Sequence, residues 1–214
     1  MGFFDVPKEI RFQIYSVLLV HSEPIVLVAD YNNPPSLRSR RIYGLCPALL
    51  QLNKQAHSEA SPLLYSHNRF QFPNIFNSPD SASIAPFLLQ VRSQANLIRH
   101  ICVPFPNFDV DFQYTSANLH KAYVEDLELI RNICTSITTL ELSVYSDRVN
   151  DALRDSPVAE QALDLLDTRL KAIQSLREII VNFQVYSDED LSDDRMKMRD
   201  RGWTIEITKL LPKI

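Results

Sequence analysis

Between residues 5 and 20 apolar side chains recur at three- and four-residue spacing, at Ile10, Ile14, Val17 and Leu18. That spacing predicts an amphipathic helix. Pro7 suits its first turn, where a missing N–H costs nothing, and Glu9 suits the positive end of the helix dipole. A second helical stretch runs from about Pro47 to Ser66, lined by Leu49, Leu52, Ala56, Ala60 and Leu63 or Leu64, with Pro62 expected to kink or divide it. Asn68–Phe72 alternates as a short strand does. Between the helices, Pro24–Tyr31 and Arg38–Tyr43 read as two strands joined by the turn residues Asn32-Asn33-Pro34-Pro35.

Beyond residue 72 the chain repeats itself. The segments Ile98-x-x-Ile101-x-Val103-x-Phe105, Ile137-x-x-Leu140-x-Leu142-x-Val144 and Leu176-x-x-Ile179-x-Val181-x-Phe183 follow one another at an offset of 39 residues. The offset extends upstream through Leu88/Leu127/Leu166, Ala95/Cys134/Ile173 and Ile84/Tyr123/Ala162. This predicts three units, with helices near 81–96, 117–134 and 157–173 that each feed a short strand. The fold class is therefore α/β, with parallel strands and right-handed crossovers. Ile101, Val103, Phe105 and their counterparts should face inward under the helices. The pattern resembles a leucine-rich-repeat solenoid of a variant kind, with Pro106, Tyr145 and Gln184 where the standard repeat carries Asn. Three units are near the minimum for a stacked core.

Each end of such a sheet needs an edge. Asn68–Phe72 is the candidate at the front, and Trp203-Thr204-Ile205-Glu206-Ile207, after a stop at Gly202, the candidate at the back. The charged stretch Asp188–Arg201 reads as a solvated helix or loop, or else as an acidic partner-binding segment. The outward columns are Cys102/Glu141/Ile180, Pro104/Ser143/Asn182 and Pro106/Tyr145/Gln184. On an open face, Glu141, Ser143, Tyr145, Asn182 and Gln184 are the candidates for holding a protein target. The alternative is a polar face that meets only water.

The first 72 residues carry an ordered set of short motifs. They are Val6-Pro7-x-Glu9-Ile10-Arg11-x-x-Ile14-Tyr15-x-x-Leu18-Leu19, then Leu49-Leu50-Gln51-Leu52-Asn53-Lys54-Gln55-Ala56-His57-Ser58-Glu59-Ala60, then Leu63-Leu64-Tyr65-Ser66-x-Asn68-x-Phe70-x-Phe72. This order resembles the fungal F-box-like proteins over residues 5–72. The resemblance implies a substrate-recognition subunit of a cullin–RING ubiquitin ligase. Val6, Pro7, Glu9, Ile10, Ile14 and Leu18 would then dock on the ligase's small adaptor protein. Two departures stand out: Val6 replaces the usual Leu, and an inserted ribbon at about 22–46 separates helices that a conventional F-box joins closely. The expected division is a head at 1–72 and a repeat body at 73–214. A second reading keeps the fold, makes the Ile10/Ile14/Leu18 stripe part of the core, and leaves a stand-alone binding scaffold.

Composition narrows the chemistry. Twenty-two Lys and Arg against 26 Asp and Glu give a net charge of −4 without a basic stripe, which argues against a nucleic-acid partner. Three glycines (Gly2, Gly44, Gly202) cannot build a phosphate-cradling loop. No apolar run approaches the roughly 18–20 residues that span a bilayer, so no membrane partner is expected. Cys46, Cys102 and Cys134 have no C-x-x-C spacing and read as reduced thiols of a cytoplasmic or nuclear protein. His100 and Cys102 can share a strand face, a loose echo of a Cys/His nucleophile pair, but are read as a structural histidine and an inert thiol. Asp109 and Asp111 read as loop carboxylates, and Ser156-Pro157 as a helix start. The expectation is a non-catalytic module with no cofactor and no metal. A third reading, a small-molecule enzyme or binding protein, would need a pocket between the two parts around His57, His67 or His100.

Overall fold

In the computed structural model Ile101, Leu140 and Ile179 stand side by side on neighbouring parallel strands, as do Val103, Leu142 and Val181. The 39-residue offset of the sequence is thus the register of the sheet. The structure describes residues 2–30, 36–39, 45–72, 84–111, 116–145, 158–185 and 192–210. The expected turn at Asn32–Pro35 and the helix start at Ser156-Pro157 lie outside them.

The fold is α/β. The three repeat units supply β4 (His100–Pro104), β7 (Thr139–Tyr145) and β8 (Glu178–Val185), preceded respectively by α3 (Ala85–Val91), α4 (Lys121–Ile133) and α5 (Ala159–Lys171). Leu88, Leu127 and Leu166 lie buried on those helices, and Ala95, Cys134 and Ile173 are buried just after them. Tyr123 is half-buried in the column where Ile84 and Ala162 are buried. Opposite them Ile101, Leu140, Leu142, Val181 and Phe183 are wholly or almost wholly enclosed. The helix expected over 81–96 is shorter: Arg92, at φ +48, ends α3, and a 3₁₀ turn completes the unit.

Strands from the first 72 residues extend this sheet. β1 (Ile25–Asp30) and β3 (Arg69–Gln71) are parallel to β4, and β2 (Ser36–Ser39) closes the edge antiparallel to β1. At the other edge β9 (Thr204–Lys209) pairs parallel with β8. Strand order is β2-β1-β3-β4-β7-β8-β9, so the parallel strands follow chain order, as in a solenoid. The inserted ribbon therefore forms the front edge expected of Asn68–Phe72, and β3 is the third strand in.

α1 (Lys8–Leu19) packs against α2 (Lys54–His67). The second helical stretch divides before Asn53, not at Pro62: a 3₁₀ turn spans Pro47–Gln51, and α2 runs unbroken through Pro62. Asn53 caps α2 by accepting the Ala56 N–H at 2.8 Å. Buried Asn68 joins the ends of both helices, donating to the carbonyls of Leu19 (2.7 Å) and Leu64 (2.8 Å) and accepting from His21 N–H (2.8 Å). It satisfies carbonyls that a helix end leaves without intrahelical partners.

One local expectation is corrected. A hairpin of β5 (Phe108–Val110) and β6 (Ala117–Leu119) stands where a loop and the start of a helix were expected, so Asp109 lies on a strand and α4 begins at Lys121. Phe108, Ala117 and Leu119 are buried, with Asn118 and Asp109 outward, which is the two-residue period of a half-buried ribbon. The charged stretch before β9 holds the helix α6 (Ser192–Asp200), whose Met198 is buried. Arg201 then bonds Glu160 and Asp164 of α5, Gly202 turns the chain at φ +84, and the Trp203 Nε1–H donates to Asp167 at 2.9 Å.

Candidate functional site

The rotation of α1 is set by one ion pair. The Arg11 guanidinium meets the Glu59 carboxylate through two parallel bonds (Nε–Oε2 2.9 Å, Nη2–Oε1 2.5 Å), and its Nη1 donates to the carbonyls of Val6 and Phe4. Tyr15 and Gln55 donate to the same carboxylate at 3.2 and 3.0 Å. Bidentate contact of this kind fixes orientation as well as distance. The bond from Arg11, then that from Gln55, lowers the Glu59 carboxyl to about 2.

Arg11, Tyr15 and Leu19 are consequently the buried face of α1. Ile10, Ile14 and Val17 lie about 100–160° round the helix from Tyr15 and are 44%, 38% and 79% exposed. The expected stripe is therefore split: Leu18 is half-buried against the core, while the other three face water. Pro7 and Glu9 are exposed beside them in sequence, and Val6 is half-buried with its carbonyl held by Arg11. The reading that made Ile10 and Ile14 core is corrected, because the Arg11–Glu59 pair turns the other face inward.

The sheet face opposite the helices differs from the open surface expected. Cys102, Pro104, Pro106, Glu141 and Ile180 are buried, and Ser143, Tyr145, Asn182 and Gln184 half-buried. Five of its side chains, His100, Cys102, Glu141, Asn182 and Thr208, form one bonded group. Glu141 is only 5% exposed. Its Oε2 lies 3.2 Å from His100 Nε2 and 3.2 Å from Cys102 Sγ, and its Oε1 accepts from Asn182 Nδ2 at 2.9 Å. Asn182 Oδ1 in turn accepts from Thr208 at 2.9 Å, and Ser143 Oγ donates to the Val103 carbonyl. Burial would raise the Glu141 carboxyl, but the bonds from His100, Asn182 and Cys102 outweigh it and hold the group at about 2. Burial, reinforced by the Glu141 charge, pushes the Cys102 thiol well up.

Among the described residues, His100, Cys102 and Glu141 bring three metal-ligating atoms within 4.8 Å of one another. Sequence reasoning singled out each of the three but not the group. The signal was present: a 39-residue shift carries Cys102 onto Glu141, and strand alternation puts His100 on the same face. Arg69 and Thr208, which complete the surroundings, had no such signal. Of the other histidines, His57 and His67 are exposed on α2. His57 lines a depression with Leu50, Gln51, Asn53 and Lys54, to which neither His67 nor His100 contributes.

Among the described residues no helix is long and apolar enough to cross a membrane. No family model, curated protein or solved structure matches the chain.

Proposed function

We propose that the chain is a non-catalytic interaction protein: an F-box-like head that docks on the adaptor of a cullin–RING ubiquitin ligase, with the repeat sheet presenting a protein target in the cytoplasm or nucleus. The observation that carries this reading is the outer face of α1. Ile10, Ile14 and Val17 form an apolar row on the side of a helix that the described residues leave exposed, while Arg11 and Tyr15 anchor the other side. Apolar residues aligned on an exposed helix face suit insertion into a partner's groove. Pro7 and Glu9, at the exposed start of the same helix, complete the adaptor surface. On the repeat body, half-buried Ser143, Tyr145, Asn182 and Gln184 are the target contacts, and Glu141 acts beneath them as an anchor for Asn182.

A second reading, a stand-alone repeat scaffold, draws support from the sheet itself. β1 and β3 continue the register of the repeats, so the head also serves as their cap. Co-purification with the cullin–RING adaptor, beside an Ile10→Glu/Ile14→Glu variant checked by circular dichroism, separates the two. Stoichiometric binding by the wild-type chain, lost in the folded variant, is the expected result. Absence of binding by the wild-type chain overturns the ligase reading and leaves the scaffold.

A further inference from the structure

We propose that His100, Cys102 and Glu141 are the ligands of a transition-metal site on the sheet face, with Zn²⁺ as the ion their donors fit. Imidazole nitrogen, thiolate sulfur and carboxylate oxygen form a mixed set that suits Zn²⁺ and not Mg²⁺ or Ca²⁺, which take oxygen donors. Tetrahedral zinc, with bonds of about 2.0–2.3 Å, places its ligand atoms about 3.3–3.6 Å apart. Glu141 Oε2 already lies 3.2 Å from both His100 Nε2 and Cys102 Sγ, and all three atoms fall within 4.8 Å. Seating an ion requires movements of a few tenths of an ångström to about an ångström, within reach of side-chain torsions.

The backbone supplies the arrangement. His100 and Cys102 are two apart on β4 and so share a face, and Cys102 is directly opposite Glu141 on β7. Cys102 and Glu141 are buried and His100 half-buried, so this is not a scatter of solvated acidic groups. The carboxylate is oriented for the role as well. Asn182, itself held by Thr208, donates to Oε1 and leaves Oε2 for the ion, the kind of outer support that metal-ligating carboxylates receive. Charge also balances at the ligands: binding displaces the Cys102 proton to solvent, and the resulting thiolate and the Glu141 carboxylate neutralise a divalent cation. Arg69 pairs electrostatically with Oε2 at 3.9 Å through Nη1, a distance too long for a hydrogen bond, and its Nη2 donates to the Ser22 carbonyl, so the Oε2 lone pairs are not occupied by it. Three protein ligands leave a fourth position for water or for a donor from a bound partner.

Reduced, metal-free protein titrated with Co²⁺ tests the assignment. One equivalent should produce a near-ultraviolet thiolate-to-cobalt charge-transfer band and intense tetrahedral visible absorption, both bleached by one equivalent of Zn²⁺. Cys102→Ser should remove the charge-transfer band, while Cys46→Ser, at the exposed cysteine, should keep it. Asn182→Ala should weaken Zn²⁺ binding by about 10–100-fold. Should Cys102→Ser fail to fold, His100→Gln at the half-buried rim carries the test and should abolish the tetrahedral spectrum. No charge-transfer band in the wild-type protein, or a band that survives Cys102→Ser or disappears in Cys46→Ser, overturns the site.

Discussion

Replacing Tyr15 by alanine tests which face of α1 belongs to the core. The ring is fully enclosed, with the rings of Phe3 and Phe12 centred 5.8 and 6.2 Å away, and its hydroxyl donates to Glu59. Emptying such an aromatic site costs about 3–5 kcal/mol. Tyr15→Phe, which deletes only the bond to a charged acceptor, should cost about 1.5 kcal/mol. Ile10→Glu and Ile14→Glu change side chains that already face water and should cost under about 1 kcal/mol each. With a urea dependence of about 3 kcal/mol per molar, Tyr15→Ala lowers the midpoint by about 1–2 M. Trp203, the only tryptophan, is buried just before β9, at the far end of the sheet from β1, yet it belongs to the same buried cluster as Tyr15. Its fluorescence should therefore shift together with the far-ultraviolet circular dichroism. A Trp203 transition unmoved by Tyr15→Ala would refute the single continuous core, and an Ile10→Glu variant as unstable as Tyr15→Ala would refute the assignment of faces.

Three further outcomes follow from the geometry. Glu59 is held at about 2 in the folded chain against an ordinary 4.5, so its contribution is complete above pH 4.5 and fades as pH falls toward 2. The melting temperature of Glu59→Gln should lie below that of the wild-type protein at pH 7, with the gap closing across that window. A gap that persists at pH 2 would contradict the ion-pair account. Leu140→Ala empties a fully enclosed site between Ile101 and Ile179 and should cost about 2–5 kcal/mol in denaturant unfolding. Gly202→Ala meets no atom within 4 Å, so its cost is backbone strain at φ +84 alone, about 1–2 kcal/mol by the same measurement.

The repeat body was legible because its information is periodic. Leu88, Leu127 and Leu166, or Ile101, Leu140 and Ile179, report the same environment three times, and a column that recurs at constant offset reveals the register without a partner being named. The β5–β6 hairpin interrupts one unit only, so nothing elsewhere in the chain repeats it. Pro62 misled through propensity: as an exposed residue of a helix that buries Ala60, Ser61, Leu63 and Leu64, it is carried by the packing around it.

Both candidate surfaces contain a buried charge that the hydrophobic pattern alone places outside. Counting apolar positions sends every charged residue to water, and on that rule Arg11 and Glu141 face outward. Each instead lies buried because a partner distant in sequence satisfies it: Glu59 is 48 residues from Arg11, and His100 and Asn182 are each 41 from Glu141. Once a buried charge is satisfied, the remaining faces are reassigned as a set. With Arg11 and Tyr15 inward, the rigid helix has no rotation that also buries Ile10 and Val17, so an apolar row is left at the surface. With Glu141 drawn into the sheet face, His100 and Cys102 converge on its Oε2 and Asn182 holds its Oε1, while Ser143, Tyr145, Asn182 and Gln184 stay half-buried. An exposed apolar row and a buried ligand cluster are both locally unfavourable placements, and it is at such violations of pattern that binding is expected.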